Sequence, residues 1–208
     1  MTLCTLCQKF IIVPQIEEEL ASPVDFKLST DRLALQPVSK NNWKELHEIY
    51  SNERNYQYEI SSTTTPRETK KSIKDSLFPS GLAINQQIKL EIRTLSNAEM
   101  IGAITVHFTQ PYFVVSLGFM LKHEFHNKGF ATEAITSLCR FLHAELGVER
   151  IQASCDSKNE ACIAVLKKSG FEQEGLCKKL FFHAERGWID TPIFASLRTP
   201  EETNSINA

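Results

Sequence analysis

The chain has 208 residues, of which 42% are hydrophobic and 23% are charged, and its formal net charge is −2. These values are typical of a soluble globular protein, and they exclude collagen-like chains and chains dominated by Gly and Pro. The charge balance gives no support for a nucleic-acid-binding protein, and no apolar run reaches the roughly 18 residues needed to cross a membrane. A chain of this length predicts one domain with a substantial core.

Residues 1–27 are predicted to form an extension ahead of a domain over 28–199, with a flexible tail over 200–208. No basic region precedes the apolar start of the extension, so no signal peptide is predicted, and a cytoplasmic location with reduced thiols is expected. Cys4 and Cys7 have the spacing of half a zinc site or of a redox pair. Because no second pair of ligands accompanies them, no metal site is predicted.

The first half of the domain alternates between helical and strand patterns. In chain order the predicted elements are a strand over 32–36, helices over 41–50 and 66–78, and strands over 88–95, 100–108 and 112–121. The start of the second helix is the best defined, because Thr65 and Glu68 form a capping box around Pro66 at the first helical position. The three consecutive strands have short connections and predict an antiparallel meander.

The second half contains the longest amphipathic helix. In chain order the predicted elements are a helix over 129–146, a strand over 150–155, a helix over 159–169, and a hairpin with strands over 176–183 and 188–197. The long helix has one apolar stripe and ends before Gly147. Together these elements predict an α/β (α+β) fold with a mixed, mostly antiparallel sheet of about seven strands flanked by helices.

The loop that opens the long helix is the most informative segment for function, and it spans His126-Asn127-Lys128-Gly129-Phe130-Ala131. Gly at a helix opening lets the main chain approach a ligand closely. The first helical N–H groups have no internal partner and favour an anion, such as a diphosphate. Taken alone, however, these residues favour an ordinary turn over an anion site.

Other short motifs accompany the loop in order between about residues 29 and 198: Thr30-Asp31-Arg32-Leu33-Ala34-Leu35-Gln36-Pro37, Thr132-Glu133-Ala134, Asn159 with Cys162, Val165-Leu166, Gly170-Phe171, Glu174-Gly175, and Trp188 with Asp190. With the loop, this ordered set resembles the GNAT N-acetyltransferase superfamily. The resemblance is closest to the branch of ribosomal-protein N-terminal (alanine/serine) acetyltransferases.

The resemblance implies a GNAT fold in which acetyl-CoA, the co-substrate, lies between the strands over 112–121 and 150–155. Its pantetheine arm would pair with a strand main chain like an added strand, and its pyrophosphate would lie on the loop N–H groups. The implied cofactor-binding residues are Phe119, Met120, Leu121, His126, Asn127, Lys128, Gly129, Phe130, Ala131 and Asn159. No metal is implied.

The implied reaction is direct attack of a primary amine on the thioester, in a ternary complex. The acceptor would be a protein N-terminal α-amine or a small amine, and an N–H near Phe119 or Met120 would stabilise the developing negative charge. Cys162 stands where the family has Ser. It is a candidate general acid for the leaving CoA thiolate, or else an inert buried thiol.

The general base is not evident from the sequence. An α-amine with a pKa of about 8 is partly deprotonated near neutrality, so a weak base is sufficient for such an acceptor. The candidates for the base are Glu53, Glu59, His107, Glu124 and Asp190.

Trp188 has two interpretations: it either lines the acceptor site or packs within the fold.

Departures from the family pattern keep two further hypotheses open. His126 replaces an Arg or Gln of the coenzyme A loop, and Gln36 replaces an Arg. The Gln36 replacement implies the loss of a structural or rim contact. His126 and Cys162 motivate a catalytically degenerate acyl-CoA-binding or sensing module, and a third hypothesis is a partner-binding protein that keeps the fold without CoA. A monomer or homodimer is expected, with no nucleic-acid or membrane partner.

Overall fold

The computed structural model describes residues 26–59, 61–76, 87–110 and 113–199. The Cys4 and Cys7 pair, the tail over 200–208 and all but two residues of the predicted extension lie outside the described residues. Phe26, at the end of that extension, packs edge-on against the ring of Phe141 at a centroid distance of 5.0 Å. Within the described ranges, no helix is both long and apolar enough to span a membrane.

The described chain forms one eight-stranded sheet and four α-helices. The strands are β1 (Leu28–Ser29), β2 (Leu33–Pro37), β3 (Gln87–Thr94), β4 (Met100–Gln110), β5 (Val114–Leu121), β6 (Arg150–Ser154), β7 (Glu172–His183) and β8 (Gly187–Leu197). The helices are α1 (Trp43–Tyr50), α2 (Pro66–Asp75), α3 (Phe130–Ala144) and α4 (Glu160–Lys168).

The strand order is β1-β2-β3-β4-β5-β6-β8-β7, and every neighbouring pair is antiparallel except β5 with β6. This confirms the predicted mixed, mostly antiparallel α/β sheet. The described sheet has one strand more than expected, because Leu28 and Ser29 pair with β2. The predicted capping box of α2 is also present, with the Thr65 and Glu68 side chains bonding each other's main-chain N–H groups.

The helices cover the two faces of the sheet in pairs. On one face, α3 and α4 contribute to the larger hydrophobic cluster, which includes Leu90, Ile104 and Ile135. On the other face, α1 and α2 pack with Ala103 in a smaller cluster. Because side chains directly opposite each other share a face, β3, β4 and β5 place Lys89, Thr105 and Gly118 side by side on the α1–α2 face.

A gap opens in the middle of the sheet. The parallel strands β5 and β6 pair at only three positions, from Val114 with Arg150 to Ser116 with Gln152. Both strands continue beyond these positions, β5 to Leu121 and β6 to Ser154, but they no longer pair with each other. The two strands between which the cofactor is expected to lie therefore diverge, and one edge of β5 is left open.

Candidate active site

A cavity of about 740 Å³ lies at this gap and reaches both faces of the sheet. Most residues of the predicted site line it: Phe119, Met120, Leu121, His126, Asn127, Gly129, Phe130, Ala131, Asn159 and Cys162. Lys128 is not among the lining residues. Its ammonium lies 5.3 Å from the centroid of the Phe125 ring, and its main-chain carbonyl accepts a hydrogen bond from Arg32 at 3.1 Å.

The open edge of β5 presents the main chain of alternate residues. Lys122 donates its N–H to the carbonyl of Ile101 across the β4–β5 ladder at 2.8 Å. Bonded pairs alternate along an antiparallel ladder, so Met120 directs its N–H and carbonyl toward β4. Phe119 and Leu121 then direct theirs into the gap. The main chain available for pairing with a ligand is therefore that of Phe119 and the N–H of Leu121, whose carbonyl already accepts a hydrogen bond from His126. Met120 contributes its side chain to the cavity.

The loop before α3 leaves the start of the helix uncapped. Asn127 and Gly129 both have positive φ, 59° and 78°, a conformation that is easy for glycine and tolerated by asparagine. Gly129 is the N-cap residue of α3, and no side chain caps the helix there. The N–H groups of the first turn are consequently left for an external acceptor, and the helix dipole makes this end positive.

Two distant motifs meet beside this loop and fix it. The hydroxyl of Thr30 donates to the carboxylate of Glu133 at 2.5 Å, and the guanidinium of Arg32 bonds the same carboxylate at 2.6 Å. Arg32 also lies 4.4 Å from the centroid of the Phe130 ring. Burial alone would raise the pKa of Glu133, but the bonds from Thr30 and Arg32 lower it, so the carboxylate stays charged. We call these three residues, Thr30, Arg32 and Glu133, the loop brace.

The His126 ring is held by the main chain at the end of β5. Its Nε2 lies 3.1 Å from the carbonyl oxygen of Leu121, and a carbonyl can only accept, so Nε2 carries the proton of that bond. In the neutral ring, Nδ1 is then a bare acceptor that cannot donate to a phosphate. With a neutral ring, an anion at this loop would be held chiefly by main-chain N–H groups.

Two thiols lie next to each other on the β6–α4 side of the cavity. Cys155 directly follows β6, and Cys162 lies in the first turn of α4. The hydrogen bond between the two side chains, together with burial, raises the pKa of Cys162, whereas the same bond lowers the pKa of Cys155. Of the two thiols, Cys162 therefore holds its proton more tightly.

Asn159 has a structural role at the same end of α4. Its side-chain oxygen accepts a hydrogen bond from the N–H of Cys162 at 3.0 Å and so caps the helix. The side-chain amide nitrogen remains the group that can donate to a ligand in the cavity. The cap also fixes the Cys162 main chain relative to the predicted pantetheine position.

The α1–α2 face of the cavity is polar and buried. Lys89, only 8% exposed, donates to the hydroxyl of Tyr50 at 3.1 Å and lies 3.4 Å from that of Thr105. Burial lowers the pKa of Lys89 to about 8, raises that of Tyr50 to about 12, and raises that of Glu59. Burial and the charge of Lys89 both lower the pKa of His107, which favours a neutral ring.

Two of the five candidate bases, Glu59 and His107, line the cavity. The other three lie outside its lining: Glu53 and Glu124 are in short 3-10 turns, and Asp190 pairs with Lys178 at 2.9 Å. Their positions separate them from the cavity that holds the rest of the predicted site.

Trp188 also lies outside the cavity lining. It is 59% exposed and packs edge-on against Phe182, with a centroid distance of 5.4 Å. It therefore neither lines the cavity nor packs in the interior, and its ring contact is on the outer surface of the β7–β8 hairpin.

Sequence reasoning did not single out Lys89, Cys155 or Arg186, although each contributes to this region. Arg186 pairs with the buried carboxylate of Asp156 and donates to the carbonyl of Glu59 at 3.2 Å, which ties the β7–β8 turn to the cavity wall. Lys89 lies in a strand of alternating polar and apolar residues, and this alternation predicts that its side chain faces solvent. A lysine on the polar side of a central strand of the meander is the one signal that was available.

Comparison with known proteins agrees with the family resemblance of the sequence motifs. The family profile described as Acetyltransferase (GNAT) domain matches residues 32–172. The uncharacterized N-acetyltransferase YoaA of Bacillus subtilis is 26% identical over 180 residues, covering 84% of this chain and 98% of that protein.

Solved structures share the fold. RimL, a ribosomal L7/L12 α-N-protein acetyltransferase in complex with coenzyme A, superposes with a TM-score of 0.72 at 17% identity, covering 83% of this chain and 98% of that one. Spermidine N-acetyltransferase from Vibrio cholerae, in complex with CoA and spermine, gives a TM-score of 0.71 at 15% identity, covering 81% and 97%. At these identities the likeness concerns the fold alone.

Proposed function

The chain belongs to the GNAT acetyltransferase family and is an N-acetyltransferase, and from this we propose that it transfers the acetyl group of acetyl-CoA to a protein N-terminal α-amine or a small primary amine. The observation that carries the proposal is the gap between β5 and β6. It places an open strand edge, an uncapped helix start and a buried polar pocket around one cavity.

The residues of this cavity suit the parts of acetyl-CoA. The Asn127–Ala131 main chain and the start of α3 would hold the pyrophosphate, because free N–H groups and a helix dipole stabilise an anion. Phe119, through its outward carbonyl, and Leu121, through its outward N–H, would pair with the pantetheine amides. Asn159 would donate its amide to the same arm. These assignments are our proposals from position and chemistry.

Acetyl-CoA supplies an acyl group already activated as a thioester. The N–H of Phe119 would stabilise the carbonyl oxygen as it gains negative charge. Cys162, which retains its proton, would protonate the departing thiolate. No step in this proposal needs a covalent acyl-enzyme.

Glu59 is our proposed base, with neutral His107 as the second candidate. Burial raises the pKa of the Glu59 carboxyl, although the nearby Arg186 partly opposes this, and a raised pKa makes the carboxylate a stronger proton acceptor. Glu59→Gln should lower kcat/KM roughly 10²-fold or more, and it should remove the fall in rate at acid pH. If Glu59→Gln keeps that fall, the base is another residue.

The function is tested by mixing the full chain with acetyl-CoA and a panel of N-terminal peptides and small amines, and following the release of free thiol. Acceptor-dependent release supports the transferase. Tight acetyl-CoA binding without release on any amine supports the degenerate acyl-CoA-binding module, which the replacements at His126 and Cys162 motivate. If acetyl-CoA does not raise the melting temperature, the proposed cofactor site is wrong.

A further inference from the structure

Lys89 is a buried cation at the wall of the cavity with no role in the mechanism above. It is 8% exposed and lies on the α1–α2 face of β3, directly beside Thr105 of β4. Its ammonium has two described partners, the hydroxyls of Tyr50 and Thr105. An ammonium has three N–H donors, so one remains for the cavity.

The charge of Lys89 is not balanced by its surroundings. None of the carboxylates in the described ranges forms an ion pair with it. The buried carboxylate next on the same strand face, Glu91, is instead paired with Arg93 at 2.8 Å. Burial without a countercharge lowers the pKa of Lys89 to about 8, because the charged form has lost its hydration. An anion entering the cavity would supply the missing partner.

Lys89 also lies two strands away from the proposed point of acetyl transfer, close enough to contact another part of the same acceptor. Lys89, Thr105 and Gly118 are direct neighbours across three strands, and Gly118 immediately precedes Phe119. Adjacent strands are about 4.8 Å apart, so the main chain of Lys89 is about 10 Å from that of Gly118. The Lys89 side chain bridges part of this span, since its ammonium contacts the Thr105 hydroxyl on the middle strand.

The other groups on this face do not compete for the anion. Tyr50 is a neutral donor, and His107 is kept neutral by burial and by Lys89 itself. Glu59 also lines the cavity and is our proposed proton acceptor. It lies beside Arg186, which bonds its main-chain carbonyl. The pocket therefore offers one group for the amine proton and a separate cation for a negative substituent.

We propose that Lys89 binds a carboxylate of the acceptor, so that the substrate is an amine carrying a carboxylate a few bonds away, and not a polyamine. The inference rests on the proposed function and names the substrate class of the same site. The carboxylate has two possible sources, the α-carboxylate of a free amino acid or an acidic side chain next to the N-terminus of a peptide. A polyamine would instead bring further positive charge beside an uncompensated buried cation.

The test compares matched acceptors that differ only in this charge. Alanine is compared with alaninamide, and the peptide amide Ala-Asp-amide with Ala-Asn-amide, using the wild type, Lys89→Met, Lys89→Arg and the exposed-lysine control Lys44→Met. In the wild type and Lys44→Met, we expect kcat/KM to be at least tenfold higher for the carboxylate member of one pair. Lys89→Met should remove this preference while leaving the uncharged member within about twofold, and Lys89→Arg should keep most of it.

Three results would overturn the role of Lys89. These are equal rates for both members of each pair in the wild type, a preference that persists in Lys89→Met, or an equal loss of kcat on charged and uncharged acceptors, which would make Lys89 a base. Melting temperatures of the variants show whether each is folded. The pair that shows the preference identifies the source of the carboxylate.

A binding measurement separates this inference from the proposed function. N-acetylalanine and N-acetyl-Ala-Asp-amide are titrated into the CoA-saturated protein by calorimetry, each beside its uncharged counterpart. Lys89→Met should weaken binding of the charged compound about tenfold or more and leave the uncharged one unchanged. If no acceptor releases thiol but this selective loss is seen, the transferase proposal fails and the anion site stands. If turnover occurs without the selective loss, the anion site fails alone.

Discussion

The environment of the Cys162 thiol restricts its chemistry. The bond to Cys155 and burial both raise its pKa, so the thiolate that a nucleophile needs is scarce at neutral pH. A protonated thiol at the cavity wall disagrees with an acyl-cysteine mechanism. Ping-pong kinetics are therefore not expected. The thiol holds the proton that a donor needs, but its raised pKa also makes it a weaker acid than a free thiol, so the donor role requires a direct test.

A pair of substitutions tests the donor role. Cys162→Ser keeps a proton on a group of similar size, and we expect it to retain kcat within about tenfold. Cys162→Ala removes the proton, and kcat should fall roughly 10²-fold or more at unchanged acetyl-CoA affinity. Steady-state kinetics at saturating acceptor measure both. Wild-type turnover in both variants would show that Cys162 is only a packing residue.

Lys89 should also make the free energy of unfolding depend on pH. Its pKa is about 8 in the folded protein against 10.5 for a free lysine, so the folded state binds fewer protons than the unfolded state between these pH values. Stability linked to this group therefore rises as pH increases from 8 to 10.5. The cost of burying the charge is largest below pH 8.

Lys89→Met should therefore stabilise the protein at pH 7 more than at pH 10. The expected difference between the two pH values is on the order of a few kcal/mol, because one pKa unit corresponds to about 1.4 kcal/mol. Urea unfolding of wild type, Lys89→Met and Lys44→Met at both pH values measures it. A difference between wild type and Lys89→Met that does not change with pH would show that Lys89 is not the titrating group.

At the scale of elements, the start of α3 depends on contacts from residues about 100 positions earlier in the chain. The loop brace joins Thr30 and Arg32, next to β2, to Glu133 in the first turn of α3. Gly129 itself makes no close contact, since a Cβ placed there would lie 3.5 Å from Arg32. The brace, and not the glycine packing, therefore sets the position of the loop.

Loss of the brace should affect cofactor binding specifically. Glu133→Gln removes the charge that holds Arg32, and we expect acetyl-CoA affinity to fall about tenfold while the acceptor KM changes little. The exposed Glu145→Gln, just beyond the same helix, is the matched control. Calorimetric titration with acetyl-CoA gives the affinities. Equal affinities in Glu133→Gln and wild type would mean that the loop holds its shape without the brace.

The elements were predictable to the extent that they follow local patterns. Thr65, Pro66 and Glu68 define the start of α2 by short-range hydrogen bonds, and the alternation of β3 to β5 defines a meander. The buried polar wall was not predictable, because alternation alone assigns Lys89 to solvent. The cover supplied by α1, through Tyr50, is a tertiary contact that no local pattern encodes.

The candidate site also contains residues that short motifs identify and residues that only the folded chain brings together. The loop over 126–131 and the Asn159–Cys162 spacing were found because they are short motifs in order. The contact of Arg32 with Glu133 was not found from the sequence, because the two residues are 101 positions apart. Among the five candidate bases, the sequence had no means to choose Glu59 and His107, since only the folded chain brings both to one cavity.

At the scale of the molecule, the sheet is continuous except at the open edge of β5. A bound pantetheine arm would complete the hydrogen bonding there. In the presence of acetyl-CoA, amide hydrogen exchange should slow at Phe119 and Leu121, whose N–H groups face the gap. Gly118 and Met120, which already bond β4, should change less. Exchange measured at single-amide resolution checks this alternation, and uniform protection along β5 would argue against strand-like pairing.

The loop brace has a consequence for how the protein is made. Its two sides lie at the two ends of a long stretch that includes β2 to β5, so the contact closes a large loop, which is entropically costly and slow to form. During synthesis, a nascent chain that ends before Glu133 has left the ribosome can pair its early strands but has nothing to anchor Arg32. We therefore expect the proposed coenzyme A loop to take its shape only after Glu133 has emerged from the ribosome, so that a product truncated before Glu133 would not hold the cofactor.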